Sequence, residues 1–314
     1  MSNSSEFNYR KDLLEEAMLK TIVAVLIAII INYINGTLLY TYFTNQTFHS
    51  NSRYILYVQL VINDMIMLSC TVLMVVLAYL SYLINVSFCI TLILIGINTF
   101  LNTPLTLAGM AIERFVAICY PLQHPLICTV HRTYLFIACI WIVGALPGFT
   151  DLILTFILNP LSFFPMTKLC FRQNIFTSVY HQNNNVACNI IYMCFVWIIL
   201  FYTYFKVMFS AKSAASDQAL VRKARKTVLL HGVQLAICML SFMSPILDSG
   251  LYILFPQSRS VILFCTYIIT NMLPRLLSPL IYGLRDQNFK KHMKRSLLCR
   301  RPKAMVKPTA DRLQ

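Results

Sequence analysis

Charge is scarce in this chain. Charged side chains make up 12% of its 314 residues and only 11 are acidic, against 58% hydrophobic residues and a mean hydropathy of +0.67. A soluble domain carries about a quarter of its residues charged to keep its surface solvated. That class is therefore excluded, and the composition belongs in a bilayer. The 11 cysteines form no CxxC pair and no cysteine–histidine pattern, which argues against a zinc site; no metal and no cofactor is expected. No cleavable signal is evident either, since the first apolar run, 21–43, is too long for a signal core and lacks a convincing small-residue cleavage site. The two halves do not repeat one another, in parallel or inverted, which weakens a transporter reading.

What is present is apolar and long. Seven runs, at 21–43, 54–83, 88–120, 134–149, 186–209, 228–255 and 261–284, alternate with short polar connections, and runs of this kind suit helices of about 20 residues crossing a bilayer. The expected fold is an all-α membrane protein, a seven-transmembrane helix bundle. Its parts are a polar extracellular N-terminus at 1–20, the bundle at 21–284 and a basic tail at 285–314. The fourth run is expected to end near Pro147-Gly148.

An odd number of spans puts the termini on opposite sides, and the basic residues orient them. The tail from Arg285 carries ten Lys or Arg, and the 206–226 connection adds Lys206, Lys212, Arg222, Lys223, Arg225 and Lys226. Opposite them, 84–88 has none, 256–260 has Arg259 and 150–185 has Lys168 and Arg172. The tail is therefore expected in the cytoplasm and the N-terminus outside, at the plasma membrane. The net charge of +15 follows from this asymmetry, so no nucleic-acid partner is expected. The Asn3-Ser4-Ser5 and Asn85-Val86-Ser87 sequons then face outward and can be glycosylated, whereas Asn45-Gln46-Thr47 faces inward and is silent.

Charge beside hydrocarbon is costly and tends to mark function. The third run ends in Glu113-Arg114, inside the string MAIERFVAICYPL from Met110 to Leu122. This resembles the MAYDRYVAICxPL signature of odorant receptors of the rhodopsin-like G-protein-coupled class, with Glu113 for Asp and Phe115 for Tyr. Lys223-Ala224 with Thr227 and His231 is similar to the family's KAxxTxxxH entry to the sixth span, and Thr203-Tyr204 to its Ser-Tyr in the fifth. Ser278-Pro279-Leu280-Ile281-Tyr282 resembles NPxxY with Ser for Asn, and PRLLSPLIYGLRDQNFK from Pro274 looks most like fish-type odorant receptors. Asn35, Asp64 and Trp141 fall where the family keeps one polar or aromatic residue in spans one, two and four.

The resemblance implies a receptor, not an enzyme, that binds a small extracellular odorant and activates the stimulatory olfactory G protein to raise cyclic AMP. Use of the same receptor outside the olfactory epithelium stays open. Arg114 would be the pivot, held by Glu113 at rest, with Tyr204, His231, Pro279 and Tyr282 completing the switch. Asp64 stands where related receptors hold sodium, and Arg275, a cation inside the seventh span, would replace that ion by pairing with Asp64. The implied pocket is lined by Gly96, Ile97, Phe100, Leu101, Ile191, Pro245, Tyr252, Tyr267 and Thr270. Gly96 stands five turns outward of Arg114, where amine receptors carry an Asp, so an amine ligand is disfavoured. Pairing of Cys89 with Cys170 or Cys188 is favoured, the choice staying open, and a Cys170–Cys188 pair that leaves Cys89 free is the alternative. After the seventh span, the apolar Phe289, Met293 and Leu297 among basic residues fit a short amphipathic helix on the anionic inner leaflet, where Cys299 is a candidate for palmitoylation.

Overall fold

The computed structural model describes residues 2–80, 83–170, 172–213 and 259–277, with 232–233, 236–237, 247, 250–251, 253–255, 280, 289 and 291. Five helices in it are long and apolar enough to cross a membrane. They are α1 (Ser2–Phe43), α2 (Ser52–Leu80), α3 (Val86–Cys119), α5 (Val130–Leu158) and α7 (Val179–Ser213). Two one-turn helices, α4 (His124–Ile127) and α6 (Arg172–Ile175), sit in connections. Helix α8 (Arg259–Tyr267) runs into a π-turn at Ile268–Met272, where the Leu273 N–H reaches the Ile268 carbonyl, and residues 273–277 are helical again.

Helix α3 is the axis of the bundle. Every residue from Leu101 to Ala111 is buried, so the helix has no outward face over three turns. Around it pack α2, α5 and α7, with α1 against α2. The outer surface is apolar instead of charged: on α5, Ile142, Leu146, Phe149, Ile153 and Phe156 are all exposed. They recur every three or four residues and make one stripe along the helix. A continuous apolar stripe of that length is stable against lipid and not against water.

One end of the bundle is closed by a loop. Strand β1 (Ile84–Asn85) pairs antiparallel with β2 (Thr167–Lys168), matching Ile84 to Lys168 and Asn85 to Thr167. A disulfide joins Cys89 to Cys170, with Cα atoms 5.6 Å apart; Cys188 is a free thiol. The carboxamide of Asn85 accepts from the Ser87 N–H at 2.9 Å and caps the start of α3.

The helix containing Pro147 does not end there. It continues to Leu158, and α7 begins at Val179 instead of near 186. A proline inside a membrane helix frees the carbonyl four residues before it, and neighbouring helices can satisfy that group: the Tyr192 hydroxyl of α7 donates to the Val143 oxygen, and the Asn184 amide lies 3.4 Å from the Pro147 oxygen. The longer α5 carries Asp151 into the bundle. Helix α1 likewise starts at Ser2, so Asn3 lies on it.

At the opposite end, Phe289 is buried instead of lying on a lipid surface. Its ring centroid is 5.4 Å from both Phe48 and Tyr57 and stacks at 6.3 Å on Tyr54. Edge and offset ring contacts of this kind add to apolar burial, and they tie the chain beyond the seventh helix to the α1–α2 connection. Met293 and Leu297 lie outside the described residues.

Candidate functional site

Three layers of functional side chains stack along α3. The first is a cavity of about 420 Å³ beneath the disulfide, walled by α2, α3, α5, α6, α7 and α8. Gly96, Ile97, Phe100 and Leu101 of α3 and Tyr267 of α8 line it. A Cβ added at Gly96 would meet nothing within 4 Å, so the glycine leaves open volume. The walls also include Met67, Thr71, Met74, Cys188 and Arg172, none of which was named as a lining residue from the sequence. Ile191 does not join them. It is 64% exposed, because it stands two residues, roughly 200°, beyond the lining residue Asn189. Thr270 is buried, but its hydroxyl is turned onto the Thr266 carbonyl at 2.8 Å. Pro245 and Tyr252 lie outside the described residues.

The second layer is polar and sealed. Arg275 donates from Nη1 to Asp64 Oδ1 at 2.6 Å and to the Thr103 hydroxyl. Thr103 in turn reaches Asp64 Oδ1 at 3.1 Å. The Asn63 amide donates to the Thr103 hydroxyl at 2.9 Å and to the Thr99 carbonyl at 2.8 Å. Asp64, Arg275, Thr103 and Asn63 are all buried. A charge so placed persists only when paired. Sequence reading named Asp64 and Arg275 and missed Asn63 and Thr103, which look like ordinary small polar residues until α2 and α3 are packed.

The third layer lies at the far end of α3. Glu113 Oε2 is 3.5 Å from Arg114 Nε, and Glu113 Oε1 is 3.0 Å from Nε2 of His124 on α4. The carboxylate is buried, and α4 folds back over it because Tyr120–Gln123 turns the chain at Pro121. His124 was missed: eleven residues from Glu113 across a turn, it carries no periodic signal. Close by, burial and the charge of Glu113 push the Cys128 thiol above its ordinary range. Tyr204 is half-exposed on α7 and sets its ring edge-on to Phe205. His231, Pro279 and Tyr282 lie outside the described residues.

A further group flanks the cavity. Asp151 of α5 is fully buried; Oδ2 accepts from Arg172 Nη2 at 2.7 Å. Its Oδ1 accepts from the Asn184 amide at 2.8 Å and lies 3.2 Å from His181 Nδ1. The sequence offered an acid in an apolar run as the signal. That signal was lost when the run was ended at Pro147-Gly148, leaving Asp151 in a loop.

A bundle of apolar-surfaced helices around a disulfide-capped cavity, with a buried ion pair beneath it and an acid–arginine pair at the other end, defines a helical membrane receptor. Residues 34–282 match the 7 transmembrane receptor (rhodopsin family), and the chain belongs to that family. It is 31% identical over 283 residues to Odorant receptor 131-2 of Danio rerio, a match covering 88% of this chain and 85% of that protein. Olfactory receptor 2M2 of Homo sapiens is 27% identical over 254 residues, 74% of this chain and 68% of that protein. Olfactory receptor 4E2 of Mus musculus is 26% identical over 207 residues, 60% and 62% respectively. The likeness to odorant receptors read from the motifs is thus borne out. The protein is a multi-pass membrane receptor with a seven-helix bundle, not an enzyme.

Proposed function

We propose that this receptor binds a small extracellular odorant in the cavity beneath the Cys89–Cys170 disulfide and activates the stimulatory olfactory G protein, raising cyclic AMP. The observation that carries the reading is the cavity itself, about 420 Å³ and walled largely by apolar side chains, a size and lining suited to one small organic molecule. The disulfide end faces outward and the Glu113–Arg114 end inward, as the basic tail and the 206–226 connection require. Asn3 and Asn85 are then available for glycosylation, the Asn85 side chain being at an exposed helix start.

Signalling requires that the ligand bind one helix arrangement better than another. Residues Phe100 and Leu101 at the cavity are within one turn of Thr103, which bonds the Asp64–Arg275 pair. A ligand seated there presses on the layer where Arg275 supplies the positive charge that sodium supplies in related receptors. At rest Glu113 holds Arg114; on activation Arg114 turns to the G protein, with Tyr204, His231, Pro279 and Tyr282 rearranging around it. Arg114→Ala is expected to abolish odorant-driven cyclic AMP while surface labelling stays at wild-type level. Normal signalling from that variant would refute the assignment.

A further inference from the structure

We infer that the Asp151–Arg172 pair forms the polar corner of the odorant cavity and selects ligands with an apolar skeleton and one uncharged oxygen acceptor: an aldehyde, ketone or ester. The inference rests on the odorant-receptor reading and adds the ligand's chemical class to it.

The argument starts with donors and acceptors. Both oxygens of Asp151 are occupied, Oδ2 by Arg172 and Oδ1 by Asn184 and His181. The carboxylate is fully buried and presents no open acceptor to the cavity. Arg172 differs. A guanidinium has five N–H donors, of which Nη2 gives one to Asp151, and the side chain lines the cavity while remaining 31% exposed. Beside it, Asn189 donates its amide to Asn185 Oδ1 at 3.3 Å, which leaves the Asn185 amide hydrogens as further donors on the same wall. The polar corner is rich in donors, and the rest of the lining named above is mainly hydrocarbon.

Charge then decides between acceptors. Arg172 and Asp151 carry one charge each and cancel. A carboxylate ligand would be a second anion on one guanidinium, stripped of water in an apolar cavity, and the Arg172 charge is already committed. An ammonium would find an acceptor at Asn189 Oδ1 but would lie beside the like-charged Arg172 guanidinium, with the Asp151 carboxylate buried and already bonded. A carbonyl oxygen accepts from the guanidinium without bringing a charge of its own. Asp151 is a positioning residue: it touches no ligand and sets both the direction and the net charge of Arg172. The disulfide at Cys170, two residues before Arg172, anchors the loop that delivers it.

The test uses the full-length receptor in cells with a cyclic-AMP readout, surface labelling in parallel, and straight-chain aldehydes, ketones, methyl esters, carboxylic acids, amines and alkanes matched in length. The wild type is expected to respond to aldehydes, ketones or esters over the matched acids, amines and alkanes. Arg172→Gln is expected to raise the half-maximal concentration for those ligands roughly tenfold or more, the worth of one charge-assisted bond. Asp151→Asn, which removes the counter-charge and keeps the shape, is expected to move the preference toward the matched carboxylic acids. A merely structural role would lower all responses together and gain none. Equal response to all classes, or Arg172→Gln leaving the ranking intact, overturns the inference. Response only to odorants of other classes overturns the ligand class and leaves the receptor reading standing, whereas silence across every class tried overturns both. Should Asp151→Asn fail to reach the surface, the Arg172→Gln ranking decides alone.

Discussion

Neutralising one member of the Asp64–Arg275 pair is expected to unfold the receptor more readily than removing both. Asp64 is fully buried and the Arg275 side chain is 3% exposed, with 2.6 Å between Nη1 and Oδ1. Neither group can reach water, so Asp64→Leu strands a guanidinium and Arg275→Met strands a carboxylate in a medium of low dielectric. Each single replacement is expected to cost about 3–5 kcal/mol, the penalty for an uncompensated buried charge. The double variant strands neither, and its main loss is the pair of hydrogen bonds that link Thr103 to Asp64 and Arg275, about 1 kcal/mol per hydrogen bond. Treated as additive, the singles would predict about 6–10 kcal/mol for the double; the expected cost of the double is instead about 1–2 kcal/mol. At about 2.1 cal/mol/K of unfolding entropy per residue, one kcal/mol moves the midpoint of a 314-residue chain by about 1.5 °C. Thermal denaturation of the purified receptor in lipid nanodiscs should therefore show drops of roughly 5–8 °C for each single and about 2–3 °C for the double. Additive drops, or singles indistinguishable from wild type, would refute the claim that the two charges hold one another.

Gly144→Ala is expected to cost about 1–3 kcal/mol by overpacking, because a Cβ there would lie 2.0 Å from Asn102 Oδ1 on α3; adding Asn102→Ala should restore surface expression, and failure of that rescue would count against the contact. Loss of the disulfide, bridging residues 81 apart, is expected to cost about 4.5 kcal/mol by loop entropy: Cys89→Ser and Cys170→Ser should each deplete the surface receptor, with Cys188→Ser leaving it unchanged. Burial and the charge of Glu113 raise the Cys128 pKa, so less of its thiol is ionised at neutral pH than in an ordinary cysteine. Its alkylation, followed by mass spectrometry, should be slow there and rise as pH climbs through its elevated range. Glu113→Gln, which removes one cause of the elevation, should speed it at neutral pH; an unchanged rate would sever Cys128 from Glu113.

The architecture was largely legible because a bilayer imposes a coarse rule: long apolar runs must be helices, and the basic connections must fall on one side. The family resemblance favoured Cys170 or Cys188 as the partner of Cys89 over a Cys170–Cys188 pair, and the structure joins Cys89 to Cys170. What escaped depended on contacts between helices. Pro147 and Gly148 read as a stop, which is sound for a helix in water, yet α5 runs through them; Asp151 was therefore left in a loop and its cluster went unseen. His124 reaches Glu113 only because α4 folds back, and no period of three or four residues announces that turn. Phe289 looked like a lipid-facing residue because the sequence could not show Phe48 and Tyr57 waiting beside it.

The wide turn at Ile268–Met272 has a consequence of phase. Tyr267 and Arg275 are eight residues apart, and in an unbroken α-helix they would point about 80° away from each other. One surplus residue taken up in the turn cancels most of that angle. The cavity wall and the buried ion pair thus fall on the same meridian of the seventh helix at different depths. Two tasks share one rod without sharing one period.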